Sequence, residues 1–237
     1  MATIERDAYF KYLENKGQAG YRAAILVKEQ GETLYSLLVA SETVPSVFGS
    51  QDSFEFDLLN SPVKGKIAGK MSLDDKEVEV LHHRDNVYRF EKLKNKVLDF
   101  LVVDGTFVGY KFTGTLSYRM NDASADVLRG TYTITPMSAD PTPILNARPL
   151  CQETLCFADV VPDEVKSGDK INLSVVQSEA TVTFSSFLIN ENGTEGEKTP
   201  ISDKEFTAPS TAGLYGITAS ATGYAPWTTT VYVSSAK

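Results

Sequence analysis

The chain has 237 residues, 23 Lys+Arg against 31 Asp+Glu for a net charge of -8, and 42% hydrophobic residues. That balance suits one or two folded domains of ~150 residues and excludes a disordered, collagen-like or disulfide-scaffold chain. No apolar run nears the ~18 residues of a membrane helix, Met1–Lys16 predicts no secretory signal, and the acidic balance opposes gripping nucleic acid by counterion release.

Tyr21–Leu26 and Leu34–Val39 read as opening strands. Residues 41–69 follow, long and polar, with Pro45, Gly49, Pro62, Gly65 and Gly69. A connection of that length is usually functional or mobile. Lys76–Leu81 alternates as a strand, with Glu77 and Glu79 on one face and Val78 and Val80 on the other. The period then changes: Val87, Phe90, Leu93 and Val97 predict one helix over about 86–95, capped by Asp85 or Asn86. Strands follow at Leu98–Val103, Tyr110–Arg119 and Val127–Thr135.

Composition then breaks. Residues 1–150 hold 18 basic and 20 acidic side chains, whereas 151–237 hold 5 and 11. Ser and Thr make up 20 of the first 150 residues and 22 of the last 87. Pro136, Pro141, Pro143 and Pro149 mark an extended connection, because proline brings no donor to a ladder. These features predict a first domain over 1–146, a linker over 147–158 and a second domain over 159–237. The second reads as a small all-β sandwich, Ig-like in architecture only. Leu155–Val161, Ile171–Val175, Val182–Phe184 and Thr228–Val233 are its strand candidates. Overall the chain is expected to be mainly β: an N-terminal β-sandwich or half-barrel with one flanking helix, plus a C-terminal sandwich.

Catalytic chemistry finds little support. His82 and His83 are the only histidines, and neighbours on a strand point to opposite faces. No phosphate loop, nucleophile elbow or zinc spacing appears, so no catalytic, cofactor or metal site is expected. Cys151 and Cys156 read as reduced thiols. Asp74–Glu79 holds four acids in six residues, either a solvated strand face or an acidic wall. Tyr224 and Trp227 are either candidates for an exterior contact or, for the tryptophan, a core anchor.

The run Gly69–Val80, the helix opening His83-Arg84-Asp85-Asn86 and the strand Arg129–Pro136 resemble the major tail (tail tube) proteins of long-tailed bacteriophages. The resemblance covers roughly residues 10–145, and it includes the order of strand pair, long arm, strand, helix and closing strands. It implies a structural virion protein of a non-contractile tail, not an enzyme, assembled in the host cytoplasm. Hexameric rings would stack into a tube that conducts DNA without specific binding and without a membrane. Its partners would be itself, a tape measure protein, and tail-terminator or tail-tip proteins. The Ig-like domain would decorate the outside. Lumen-facing candidates are Glu77 and Glu79, with Asp52, Glu55 and Asp57 as a second set. The assembly arm would include Ser41, Pro45, Phe48, Phe54, Phe56, Leu58, Pro62 and Gly69. The rival readings are a two-domain surface adhesin or carbohydrate-binding β-protein, and the tube of a contractile tail or secretion machine.

Overall fold

The computed structural model describes residues 23–39, 44–45, 47, 51–56, 65–71, 73–103, 107–122, 128–137 and 141–235. The chain is mainly β, with several sheets and one α-helix among the described residues. In its first part the strands are β1 (Ala24–Glu29), β2 (Ser36–Leu37), β3 (Gln51–Phe56), β4 (Gly65–Met71) and β5 (Lys76–Leu81). Helix α1 (Arg84–Leu93) follows, then β6 (Leu98–Val103), β7 (Gly109–Met120), β8 (Arg129–Pro136) and β9 (Thr142–Ile144).

Seven of these strands form one antiparallel sheet in the order β2-β1-β6-β7-β8-β5, with β9 beside β7. Its inner face is apolar. Ile25, Phe100, Phe112, Tyr132, Ile134 and Val78 are buried there, with Leu93 of the helix in the same cluster. Period-two alternation produces that face, as in β5, where buried Val78 and Val80 alternate with exposed Glu77 and Glu79.

The connection is more ordered than its prolines suggest. β9 forms within it as a short strand paired with β7 alone among the described strands, with Pro143 opposite Tyr110, and such an edge position is where proline's missing donor is tolerated. A 3₁₀ turn covers Arg148–Leu150. The next residues run along β2: the Tyr35 amide donates to Leu150 O (2.8 Å), the Gln152 amide to Tyr35 O (2.7 Å) and the Leu37 amide to Thr154 Oγ1 (3.2 Å). The connection therefore seals one edge of the large sheet.

The second part holds β10 (Glu164–Lys166), β11 (Lys170–Asn172), β12 (Thr183–Ile189), β13 (Thr199–Ile201), β14 (Glu205–Thr207), β15 (Gly213–Ser220) and β16 (Trp227–Ser234). A five-stranded sheet runs β10-β16-β15-β12-β13, and β11 pairs with β14 in a second sheet. The expected strand at 155–161 is instead an irregular segment, tied down by isolated bridges Thr154–Ala225 and Phe157–Val175. Its burial comes from the core beneath it: Leu155, Cys156 and Phe157 are all inside. That core is not confined to the second part. Leu26, Tyr35, Leu37, Leu101 and Val103 of the large sheet belong to the same cluster as Phe184, Ile217, Trp227 and Val231. The composition break thus falls between two segments that share one core.

Candidate functional site

The outer face of β5, β8 and β7 is polar. Register places Glu77 opposite Thr133, which faces Ser117, and Glu79 opposite Thr131, which faces Arg119; Thr135 faces Thr115. Thr131 is buried, while Glu77 and Glu79 are exposed. Their carboxylates are not left bare. Arg119 Nη2 lies 3.2 Å from Glu77 Oε1, and Arg129 Nη1 lies 3.5 Å from Glu79 Oε2. Long side chains make such diagonal contacts between strands. Each pair is worth ~0–1 kcal/mol at an exposed site, but it sets the local charge: these two acids meet two bases, not an unrelieved acidic wall.

The other lumen candidates are less defined. Asp52 and Glu55 lie in β3, and Asp57 lies outside the described residues. Of the arm candidates, Ser41, Phe48, Leu58 and Pro62 lie outside the described residues, and Pro45 is half-buried. Phe54 and Phe56 are in β3 and Gly69 in β4. The described residues of the arm include a paired hairpin: β3 and β4 pair antiparallel from Phe56–Gly65 to Gln51–Met71, with a register shift between Gln51 and Ser53. Pairing satisfies backbone donors and acceptors that an open loop would leave to water.

Helix α1 begins two residues earlier than its periodicity predicts, because its cap is His83 rather than Asp85 or Asn86. His83 is extended (φ -122°, ψ 149°), and its Nδ1 accepts from the Asp85 amide at 3.3 Å. With Nδ1 accepting, the proton sits on Nε2, which donates to Asp163 Oδ1 at 2.9 Å. His82 goes elsewhere, with Nδ1 2.5 Å from the Tyr118 hydroxyl. The two histidines do not converge. The helix ends where Asn95 takes a left-handed φ of 61°.

Capping by His83 releases Asp85 to face inward, and a second stripe follows at i, i+3, i+4 and i+7: Asp85, Tyr88, Arg89 and Lys92. Asp85 is only 6% exposed. Its Oδ2 accepts from Thr229 Oγ1 (2.9 Å), and its Oδ1 from the Thr230 amide (2.8 Å) and Thr230 Oγ1 (2.7 Å). Arg89 donates to the carbonyls of Leu37 (2.6 Å) and Leu38 (3.1 Å) and stacks 5.2 Å above the Trp227 ring. At the far end the Tyr88 hydroxyl donates to Glu195, which also meets Lys92 at 2.6 Å and Lys198 at 3.5 Å. Partial burial pushes the Glu195 carboxyl up, but the hydrogen bonds from Lys92 and Tyr88 and the two lysine charges outweigh it and leave it lowered. Burial, and then the bond to Glu195, raises the Tyr88 phenol. Tyr88 also lies against Phe187, the ring centroids 6.4 Å apart. Gly216 makes room for that ring, since a Cβ there would come within 2.4 Å of it. The helix is thus two-sided: Phe90 packs on Tyr118 and Tyr132, and the second stripe packs on β16 and its neighbours. A cleft of about 640 Å³ opens beside the stripe, lined by Lys28, Glu32, Arg89, Lys92, Glu195 and Trp227. Periodicity in apolar residues alone could not reveal this stripe; the D-x-x-Y-R-x-x-K spacing was its signal.

Trp227 is therefore not an exterior contact. It is 4% exposed and lies in the shared core, because a ring that size finds its partners inside once the helix covers β16. Tyr224 is half-buried against the same core.

Cys151 and Cys156 are free thiols. Their Sγ atoms donate to Ala147 O (3.1 Å) and Thr154 O (3.5 Å). Burial pushes Cys151 up to about 11. It also pushes Cys156 up to about 12, with the Glu153 charge adding and the Gln177 hydrogen bond subtracting. An unfolded thiol titrates near ~8.5, so ~25% of it is thiolate at pH 8, against ~0.1% for a group near 11. Native protein at pH 8 should react with iodoacetamide ~100-fold more slowly than denatured protein; equal rates would place both thiols at the surface. The sign for stability follows. These raised values favour the folded state fully below pH ~8.5, and that contribution is lost as pH climbs through 11 to 12.

Among the described residues no group of three His, Cys, Asp or Glu is placed to hold a metal, and no helix is long and apolar enough to cross a membrane. Compared with family models and with curated proteins, the chain matches none of them.

Proposed function

We propose that this chain is a structural subunit of a tube, of the kind that forms the tail of a long-tailed, non-contractile bacteriophage, and that the polar face of β5, β8 and β7 lines its channel. The carrying observation is the contrast between the two faces of one large sheet. The inner face is packed, whereas the outer face at this end carries Ser117, Thr115, Thr133 and Thr135 among the ion pairs of Glu77 and Glu79. Hydroxyls and compensated charges offer a passing polyanion neither the lysine and arginine contacts that hold DNA nor a strong repulsive field. The second part covers this same sheet face at its other end, over Leu26, Leu101 and Val103, so the proposed channel lining is confined to β5, β8 and the adjoining half of β7.

Electron microscopy of the purified full chain tests this. Rings or tubes are expected as concentration rises. A protein that stays monomeric at every concentration favours the surface-adhesin reading instead.

A further inference from the structure

Strand β16 is covered unevenly on its two sides. Along one side β15 pairs with it from Trp227 to Val233. Along the other, β10 reaches only Tyr232–Ser234, and no described strand lies beside residues 227–231. Amides two apart on a strand face the same edge. The Tyr232 amide donates on this second side to Asp163 O (2.9 Å), just ahead of β10. The Thr230 amide therefore faces the same way, and what it meets is Asp85 of helix α1. One carboxylate takes that amide together with the Thr229 and Thr230 hydroxyls. We infer that Asp85 is a strand-edge guard: a buried side chain that holds the place of a neighbouring strand on β16, and so keeps this edge from pairing with β16 of a second copy of the chain.

The makeup of β16 shows why a guard is needed. Trp227–Val233 is an unbroken run of β-branched and aromatic residues, without charge, glycine or proline. A segment of that kind on an open edge stacks readily on its own copies as cross-β structure. Strand β12 also lacks charge, glycine and proline, but it lies between β15 and β13. In β16 the same makeup meets a partly open edge. A carboxylate suits that edge because, when ionised, it only accepts, and the edge offers it three donors. It also carries no ladder of its own for a further strand to continue. The guard is held in place from both ends. The Asp85 amide donates to His83 Nδ1, and Arg89, one turn on, is bonded to the carbonyls of Leu37 and Leu38 in the first part. Lifting the helix would free the Thr230 amide and leave residues 227–231 as a template.

Agitated incubation of the full chain with thioflavin T tests this. The unaltered chain is compared with Asp85→Ala, Asp85→Asn and Leu173→Ala. Leu173 is a core residue of the second part, 3% exposed, and its truncation loosens the fold without removing any of the Asp85 bonds. Each protein is held at the same interval below its own Tm, so that lost stability alone does not separate them. Asp85→Ala should form fibrils after a lag ~tenfold shorter than that of Leu173→Ala, with hydrogen exchange slowed at residues 227–233 of the fibrils. Asp85→Asn keeps one acceptor oxygen and should fall between the two. Lags for both Asp85 variants equal to that of Leu173→Ala, fibrils protected elsewhere in the chain, or an unaltered chain that is just as quick overturns the inference. Should either Asp85 variant fail to fold, exchange on its aggregates decides: protection at 227–233 supports the guard, and protection elsewhere overturns it.

Discussion

A chain ending at Asn146 should be insoluble or aggregated, although composition and prolines place a domain boundary there. The cut removes the residues that seal β2, so the Tyr35 and Leu37 amides lose Leu150 O and Thr154 Oγ1. It also strips one side of the large sheet. Leu26, Leu37, Leu101 and Val103 are each at most 5% exposed, within a cluster that the second part completes. Fully burying such a side chain is worth about 1.5–3 kcal/mol. Uncovering four of them removes stabilisation comparable with the whole ~5–15 kcal/mol of a typical domain. Asp85 loses Thr229 and Thr230 as well. A bare apolar face beside an unsealed strand edge is an aggregation surface. The measurement is the soluble fraction and size-exclusion profile of residues 1–146 beside the full chain. A soluble monomer with a sharp thermal transition would show that the large sheet needs no cover.

Where interactions are local, the sequence was readable. Lys76–Leu81 alternates so regularly that the strand, its bounds and its two faces follow from six residues. Val87, Phe90 and Leu93 announce the helix, and the long strands β7, β8 and β16 stand near where β-branched and aromatic residues accumulate. Residue type predicts a later helix start, because Asp85 and Asn86 are better caps than His83. Asp85 is used in the interior instead, and only the position of Thr229 and Thr230, more than 140 residues away, decides that. The connection is only half legible, for the opposite reason. Its prolines report correctly that it cannot be a central strand, but not that its carbonyls and the Thr154 hydroxyl serve as acceptors for β2. The shared core was invisible for a third reason: Leu26, Leu101 and Val103 lie on strands apolar on both faces, and a sequence does not say which body covers the second face.

The same geometry makes Trp227→Ala the most damaging single substitution expected in the second part. The ring is 4% exposed, sits in the cluster that joins both parts, and carries the Arg89 guanidinium 5.2 Å from its centroid. Truncating a buried tryptophan to alanine costs about 3–5 kcal/mol through lost contacts and the cavity left behind. The cation–π contact adds ~0.5–2 kcal/mol. Arg89 would keep its bonds to Leu37 and Leu38 carbonyls but lose the surface it lies on. For a chain of this length each kcal/mol lowers Tm by roughly 2–4 °C, so 3–5 kcal/mol predicts a fall of roughly 6–20 °C by differential scanning calorimetry. Tyr224→Ala, at a half-buried ring, should cost distinctly less. Trp227 is the only tryptophan, so the unaltered protein reports on the same point: its emission should be blue-shifted when native and move red on unfolding. Were Trp227 instead an exterior contact for another protein, its removal would change stability by no more than ~0.5 kcal/mol, and native emission would already match that of exposed indole.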